Sequence, residues 1–174
     1  TSLFKTTATA ETDWKGVVYN DLGEVEFPIR PEGSLTIPVS ADGVSLTKIN
    51  DEAFKNTPHL EAITIDANIT LIGRESFKNC GASTILIPST VESIGDQAFA
   101  HCEALSSINL PTSTVSIGDL AFYDCPSLTN LTVDSGNPNY QSIDGVLFSK
   151  DGTELIRYPA SKPGTTYEVP EGVT

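Results

Sequence analysis

The chain has little positive charge and almost none of the residue patterns that catalysis requires. Its 174 residues hold 10 lysines and arginines against 23 aspartates and glutamates, a net charge of −13. That balance opposes the phosphate neutralisation that drives nucleic-acid binding and repels anionic lipid surfaces. Its plain use is to keep a soluble surface from self-associating. No apolar run approaches the roughly 20 residues of a membrane span, so direct membrane insertion is not expected, and no charged-then-apolar leader is present. Methionine is absent and the chain stops at Glu171-Gly172-Val173-Thr174, inside what reads as a further repeat; it is expected to be a fragment or a processed piece. The two histidines, His59 and His101, fit no zinc-protease pair, and there is no phosphate loop, EF-hand pattern or nucleophile elbow. Three cysteines, an odd number, argue against a closed disulfide framework.

What the chain does have is a repeat. Phe54, Phe77, Phe99 and Phe122 recur at separations of 23, 22 and 23 residues. Each has Ile49, Ile72, Ile94 or Ile117 five residues before it and Ala53, Ser76, Ala98 or Ala121 directly before it. Thr57, Cys80, Cys102 and Cys125 lie three residues after, then Leu60, Ser83, Leu105 and Leu128 at six. An alternating pair closes the unit: Ile63 and Ile65, Ile85 and Ile87, Ile108 and Leu110, Leu131 and Val133. The second unit reaches its pair one residue early, which places a deletion after Cys80 and Ser83 in the leucine column. A period this short falls in the range of about 20 to 29 residues of leucine-rich repeats. Units of that size cannot fold alone, so neighbours must stack into one quasi-one-dimensional core.

Each unit reads as a short strand, a turn at Asp66, Pro88, Pro111 or Asp134, and a second apolar pair running back. That pair is Ile69 with Ile72 and Val91 with Ile94; Val115 lies only two residues before Ile117, which predicts a bulge or shifted register. A compact helical turn starting near Asn50, Gly73, Gly95 or Gly118 then carries the Phe, with Asp51, Asp96 or Asp119 at its dipole-positive end. Residues 1 to 15, ending near Trp14, read as a linker or first edge strand. Val17, Tyr19, Val25 and Phe27 flank an Asn20-Asp21-Leu22-Gly23 turn, a hairpin pattern that would shield the first repeat. Five extra residues follow Pro38. Thirteen extra residues between Val133 and Val169 predict a projecting hairpin over 143–158, after which Tyr167-Glu168-Val169-Pro170 resumes the repeat strand.

The blocks Ser93-Ile94-Gly95-Asp96-Gln97-Ala98-Phe99-Ala100-His101-Cys102-Glu103-Ala104-Leu105 and Ile87-Pro88-Ser89-Thr90-Val91 resemble BspA-like leucine-rich repeats. So does Gly136-Asn137-Pro138-Asn139-Tyr140 ahead of Ile143-Asp144-Gly145-Val146-Leu147-Phe148. The resemblance covers about residues 35–174. It implies an α/β fold: a right-handed leucine-rich repeat solenoid with a concave parallel sheet, short convex strands and helical turns, and β-hairpin insertions. Residues 1–34 would be an N-terminal linker and capping hairpin, and 35–174 the solenoid. The resemblance also implies bacterial surface or secreted proteins, and therefore an extracellular or cell-surface location, although related repeats occur in some protists. The partner implied is a host or cell-surface protein or a matrix component, a glycan among the candidates. The repeat carries no catalytic motif and calls for no cofactor, and the Asn usual after each strand of such repeats is missing here.

Candidate chemistry is sparse. Cys80, Cys102 and Cys125 occupy equivalent slots and should stack about 5 Å apart; three thiolates could hold a soft metal, but Thr57 fills the slot in the first unit and buried free Cys behaves as a small hydrophobe. The two histidines occupy different slots and are expected far apart on the surface. Asp134-Ser135-Gly136-Asn137-Pro138-Asn139 offers oxygen ligands for calcium, though an Asn, Gly and Pro turn explains the same letters. Asn68-Ile69-Thr70 and Asn130-Leu131-Thr132 match the glycosylation sequon, which matters only in a eukaryotic secretory host. Because side chains alternate along a strand, Thr36, Thr64, Leu86, Asn109 and Thr132 should face outward on the concave sheet, flanked by Ala62, Thr84, Ser107 and Asn130. The strip is nearly free of charge, as interface cores are, and it is equally what β-propensity alone would select. Phe148, Arg157 and Tyr158 of the expected hairpin form a second candidate surface, or a cap. Function is therefore read as non-enzymatic binding of a macromolecule through the repeat surface. The alternative is a structural spacer that presents another domain and has no ligand of its own.

Overall fold

The computed structural model describes residues 5–8, 16–29, 32–41, 43–66 and 68–174. Trp14 and the rest of 9–15 lie outside them. The alternating pairs form one five-stranded parallel sheet whose strands, in spatial order, are Asn130–Val133, Ser107–Leu110, Thr84–Leu86, Leu60–Ile65 and Gly33–Ile37. Register holds equivalent residues side by side: Leu35 with Ile63, Ile63 with Ile85, and Ile108 with Leu131. Alternation sends both side chains of each pair to the inner face, and Leu35, Ile37, Ile63, Ile65, Ile85, Ile108, Leu110 and Leu131 are all buried.

The returning segments form a second sheet of seven strands. Gly16–Tyr19 pairs antiparallel with Lys5–Ala8 on one side and Glu24–Ile29 on the other. Glu24–Ile29 then pairs in parallel with the two-residue strand Lys48–Ile49, followed by Leu71–Ile72, Ser93–Ile94 and Ser116–Ile117. Asn20 makes the turn between the second and third strands, its side-chain oxygen accepting from the Leu22 and Glu24 N–H groups. The five residues added after Pro38 are taken up by a small hairpin, Ser40–Ala41 with Val44–Ser45.

The Phe-bearing segments are not helical; among the described residues there is no helix, and so none long and apolar enough to cross a membrane. The residues two before and two after each Phe adopt left-handed φ angles of 51 to 60°: Glu52 and Asn56, Glu75 and Asn79, Gln97 and His101, Leu120 and Asp124. Alternation of hand turns every second N–H out along the stack. Glu52, Phe54 and Asn56 donate to the Arg74, Ser76 and Lys78 carbonyls of the next coil at 2.6 to 2.9 Å, and the two following coils repeat the pattern. The intervening N–H groups make turns three residues back, Lys55 to Glu52 and Lys78 to Glu75. An α-helix would direct all of these donors within its own coil; here the alternating backbone forms a third ladder between coils.

The ladder sets the phenylalanine rings face to face. Phe54, Phe77, Phe99 and Phe122 stack with centroids 5.1, 5.3 and 5.5 Å apart and planes within 7° of parallel. At that spacing a Cβ on Gly95 would sit 2.6 Å from the Arg74 nitrogen of the coil before, and Gly73 and Gly118 are under the same constraint. Thr57 and two of the three cysteines in this slot make the same kind of bond: Thr57 Oγ1, Cys102 Sγ and Cys125 Sγ each donate to a phenylalanine carbonyl, at 2.7, 3.0 and 3.1 Å.

Four expectations need correction beyond the helical turns. Ala82, not Ser83, fills the leucine column of the shortened coil and is fully buried. Thr114 takes the slot expected of Val115, which is 54% exposed; Thr114 repays its burial by donating to the Val91 carbonyl at 3.0 Å. The 143–158 hairpin is a three-stranded antiparallel meander, Tyr140–Ile143, Val146–Ser149 and Leu155–Arg157. Residues 167–170 form no strand. At the turn of the meander the Asp151 carboxylate accepts from the Ser149 hydroxyl and from the Thr153 N–H and hydroxyl, which lowers its pKa to about 2.

Truncating one ring of the stack, Phe99→Ala, is expected to destabilise the protein by about 3 to 5 kcal/mol, and Gly95→Ala by about 1 to 3 kcal/mol through overpacking against Arg74; denaturant melts measure both, and a change under about 0.5 kcal/mol in either would contradict the stacking described. Burial pushes the Cys80, Cys102 and Cys125 thiols above their ordinary value, Cys102 furthest. The unfolded chain therefore ionises first, so the cysteine contribution to stability is intact below pH about 9 and is lost as pH rises past it. Comparing wild type with Cys102→Ala in melts from neutral to alkaline pH should show a steeper alkaline loss in the wild type.

Candidate interaction face

The outward residues of the five-stranded sheet form a continuous strip. Thr36, Leu86 and Asn109 are exposed and Thr64 and Thr132 half-buried, while the flanking Thr84, Ser107 and Asn130 are exposed and Ala62 half-buried. Leu86 stands 56% exposed at the middle of the strip. Parallel register aligns Thr36 with Thr64, Thr64 with Leu86, and Asn109 with Thr132. Towards the meander these side chains bond to one another. Thr132 Oγ1 donates to Asn109 Oδ1 at 2.7 Å, and Asn109 Nδ2 donates to Asp134 Oδ1 at 3.0 Å. The position of Asp134 at the strand end marks it in the sequence as a turn residue, and its bond to the strip is visible only once neighbouring coils are in register.

The second candidate surface divides. Phe148 is fully buried in the meander and offers nothing to a ligand. Tyr158 is 37% exposed and meets Tyr167 edge to face at 5.3 Å. Arg157 is half-buried beside a hollow of about 90 Å³ that it lines with Leu120, Tyr123 and Ile156. The meander adjoins the strip through its first turn, where Leu131 N–H bonds the Gly145 carbonyl at 2.9 Å and the Asn130 side chain lies against Gly145.

The remaining candidates are structural. The three cysteines are buried free thiols, and among the described residues no three His, Cys, Asp or Glu side chains are arranged to hold a metal ion. Asn137 is fully buried with every polar atom of its side chain engaged: Nδ2 donates to the Pro111 and Thr114 carbonyls, and Oδ1 accepts from the Asn139 and Tyr140 N–H groups. It organises a turn. His101 bonds Asp124 at 3.0 Å and packs edge-on to Tyr123. Contrary to the expected wide separation, the two histidines line adjoining hollows that share Pro58 and Gly81.

Comparison with known proteins agrees with this geometry. No curated protein sequence matches the chain. Among solved structures it is similar to a leucine-rich repeat protein from Bacteroides capillosus ATCC 29799, at 22% identity and a TM-score of 0.60, covering 75% of this chain and 99% of that one. It is similar to the pneumococcal vaccine antigen PcpA, at 24% identity and a TM-score of 0.52, covering 98% of this chain and 57% of that one. The T. pallidum leucine-rich repeat protein TpLRR shows 19% identity and a TM-score of 0.53, covering 74% and 67%. This chain thus spans little more than half the length of the pneumococcal protein, and at these identities the likeness is one of fold. Six copies of the BspA type leucine-rich repeat region match across residues 44–162. With that match over about two thirds of its 174 residues, and with its coils stacked in one register, the chain belongs to the BspA-type leucine-rich repeat family.

Proposed function

We propose that the chain is a non-enzymatic interaction module of a cell-surface or secreted protein, and that it binds a host or cell-surface protein or a matrix component through its five-stranded face. The observation that carries this reading is the neutrality of the strip. In a molecule of net charge −13, the outward positions Thr36, Thr64, Leu86, Asn109 and Thr132 hold no ionised group. Depletion of charge marks the core of an interface, and Leu86, open to solvent at its centre, offers apolar area that a partner would cover. Membership of a repeat family that generally serves protein interaction supports the same reading. In this proposal residues 1–34 act as linker and cap, and 35–174 as the binding body.

An arginine in the strip, on the strand next to that of Leu86, tests the assignment. Asn109→Arg places a long cation on the face, and because position 109 is exposed and can still pair with Asp134, stability should stay within about 0.5 kcal/mol of wild type. Binding to an array of immobilised matrix proteins and glycans should be lost in the variant. Retained binding would move the site off this face, and silence from both well-folded proteins would favour a structural spacer.

A further inference from the structure

At the last coil the ladder between Phe turns runs out. In the three coils before it, the Phe and the residue two before it donate to the next coil, as Gln97 and Phe99 do to the Asp119 and Ala121 carbonyls at 2.9 and 2.8 Å. Leu120 and Phe122 hold the equivalent positions, and Leu120 has the same left-handed backbone, with φ 56°. Their N–H groups therefore point out of the stack, and neither meets an acceptor among the described residues. Phe122 is only 2% exposed. Water thus has little access to its donor, and buried N–H groups are seldom left unpaired. That side of the turn carries the hollow of about 90 Å³. Gly118, Leu120, Ala121 and Phe122 line it from the turn, and Ile156 and Arg157 line it from the third strand of the meander. Arg157 adds a cation without a partner: its Nε is buried and accepts no bonding partner, and its guanidinium forms no ion pair among the described residues.

We propose that this hollow binds a small carboxylate, whose oxygens accept from the Leu120 and Phe122 N–H groups and from the Arg157 guanidinium. Backbone of alternating hand builds the concavities in which N–H groups hold anions. Arginine pairs with carboxylates through charge-assisted, often bidentate bonds, and it has no acceptor capacity of its own to satisfy the N–H groups instead. At about 30 Å³ for each water-sized group, the hollow admits roughly three heavy atoms, the number in a carboxyl group. Its remaining lining includes the apolar Ile117 and Ile156, and an apolar surround strengthens such bonds. Asp119 and Asp124 flank the turn but do not line the hollow, and Asp124 is bonded to His101. This site does not rest on the reading of the five-stranded face.

The test titrates isotope-labelled protein at neutral pH with sodium acetate, and separately with sodium chloride, at one ionic strength so that screening stays constant. Two-dimensional nitrogen–proton NMR follows the backbone amides and the Arg157 Nε–H. The Leu120, Phe122 and Arg157 Nε protons should shift downfield together along one saturating curve in the millimolar range, and chloride should give no such curve. Arg157→Gln, shown folded by its melt, should weaken acetate at least about fivefold. Lys150→Gln, the same change of charge at an exposed site elsewhere on the meander, should stay within about twofold of wild type. Shifts scattered over the surface without saturation would mean an adventitious ion only and overturn the proposal, as would an equal curve for chloride or unchanged affinity in Arg157→Gln. The wild-type resonances locate the site by themselves, so the proposal stands or falls even where the variant does not fold.

Discussion

In the first three coils every second N–H of the Phe turn is satisfied not by its own coil but by the next. Three N–H groups per turn point along the stack, and they can do so only because the residues two before and two after each Phe are left-handed. This one requirement fixes much else. It holds adjacent turns at the 5.1 to 5.5 Å seen between rings, excludes a side chain at Gly73, Gly95 and Gly118, and forbids a change of length within a turn. The changes of length from coil to coil fall outside the Phe turns: the hairpin at 40–45, the short loop at Gly81, and the meander at 140–157. A solenoid whose stability is a sum of nearest-neighbour interfaces tolerates such loops because they interrupt no interface.

Two buried polar residues, Thr114 and Asn137, close hydrogen bonds between coils, whereas the buried Thr57 hydroxyl bonds within its own coil and the Ser76 hydroxyl has no partner among the described residues. The column that starts as Ile69 and Val91 continues as Thr114 and Asn137, all four fully buried. Thr114 is anchored on the Val91 carbonyl, and Asn137 on the Pro111 and Thr114 carbonyls. The switch from apolar to polar occurs as the chain leaves the coil for the meander, where a turn must be formed without solvent to satisfy it. Leaving a buried donor unpaired would cost about 1 to 3 kcal/mol, which is why Asn, with two donors and two acceptor sites, suits that position.

The period, the inward pairs and the exposed strip were legible in the sequence because each rests on alternation, which position alone determines. The Phe turn was misread as helical because three-residue spacing suits a helix and these turns alike. A finer signal was there: Asn56, Asn79, His101 and Asp124, two residues after each Phe, are all of the types that most readily adopt positive φ. Glu52, Glu75, Gln97 and Leu120 share that conformation without advertising it. Thr114 was passed over because hydropathy favours Val115, and only the hydrogen bond to Val91 reverses that choice. Phe148 looked like an exposed hairpin residue, whereas it lies fully buried on the middle strand of a three-stranded meander. The short loop at Gly81 could be located from the missing residue after Cys80, but that Ala82 moves into the leucine column is visible only in the fold.

Charge is distributed unevenly around the coils, and this bears on how each surface can work. Lys55, Arg74 and Lys78 gather on the Phe-turn edge, where the Lys55 ammonium, 2.6 Å away, holds the Glu75 carboxyl below its ordinary pKa. Exposed pairs such as Arg74 with Asp51 add little stability, so their larger effect is to withdraw cations from the rest of the surface. The loop edge is left acidic and the five-stranded face neutral. Contacts on the neutral face depend on apolar area and shape, which salt leaves nearly untouched, whereas the field of the acidic surface around it fades as the Debye length shrinks from about 10 Å at 0.1 M to 3 Å at 1 M. Ionic strength thus tests the neutral face without any mutation: affinity carried by the strip around Leu86 should survive high salt, and affinity that vanishes with salt comes from the charged surface instead.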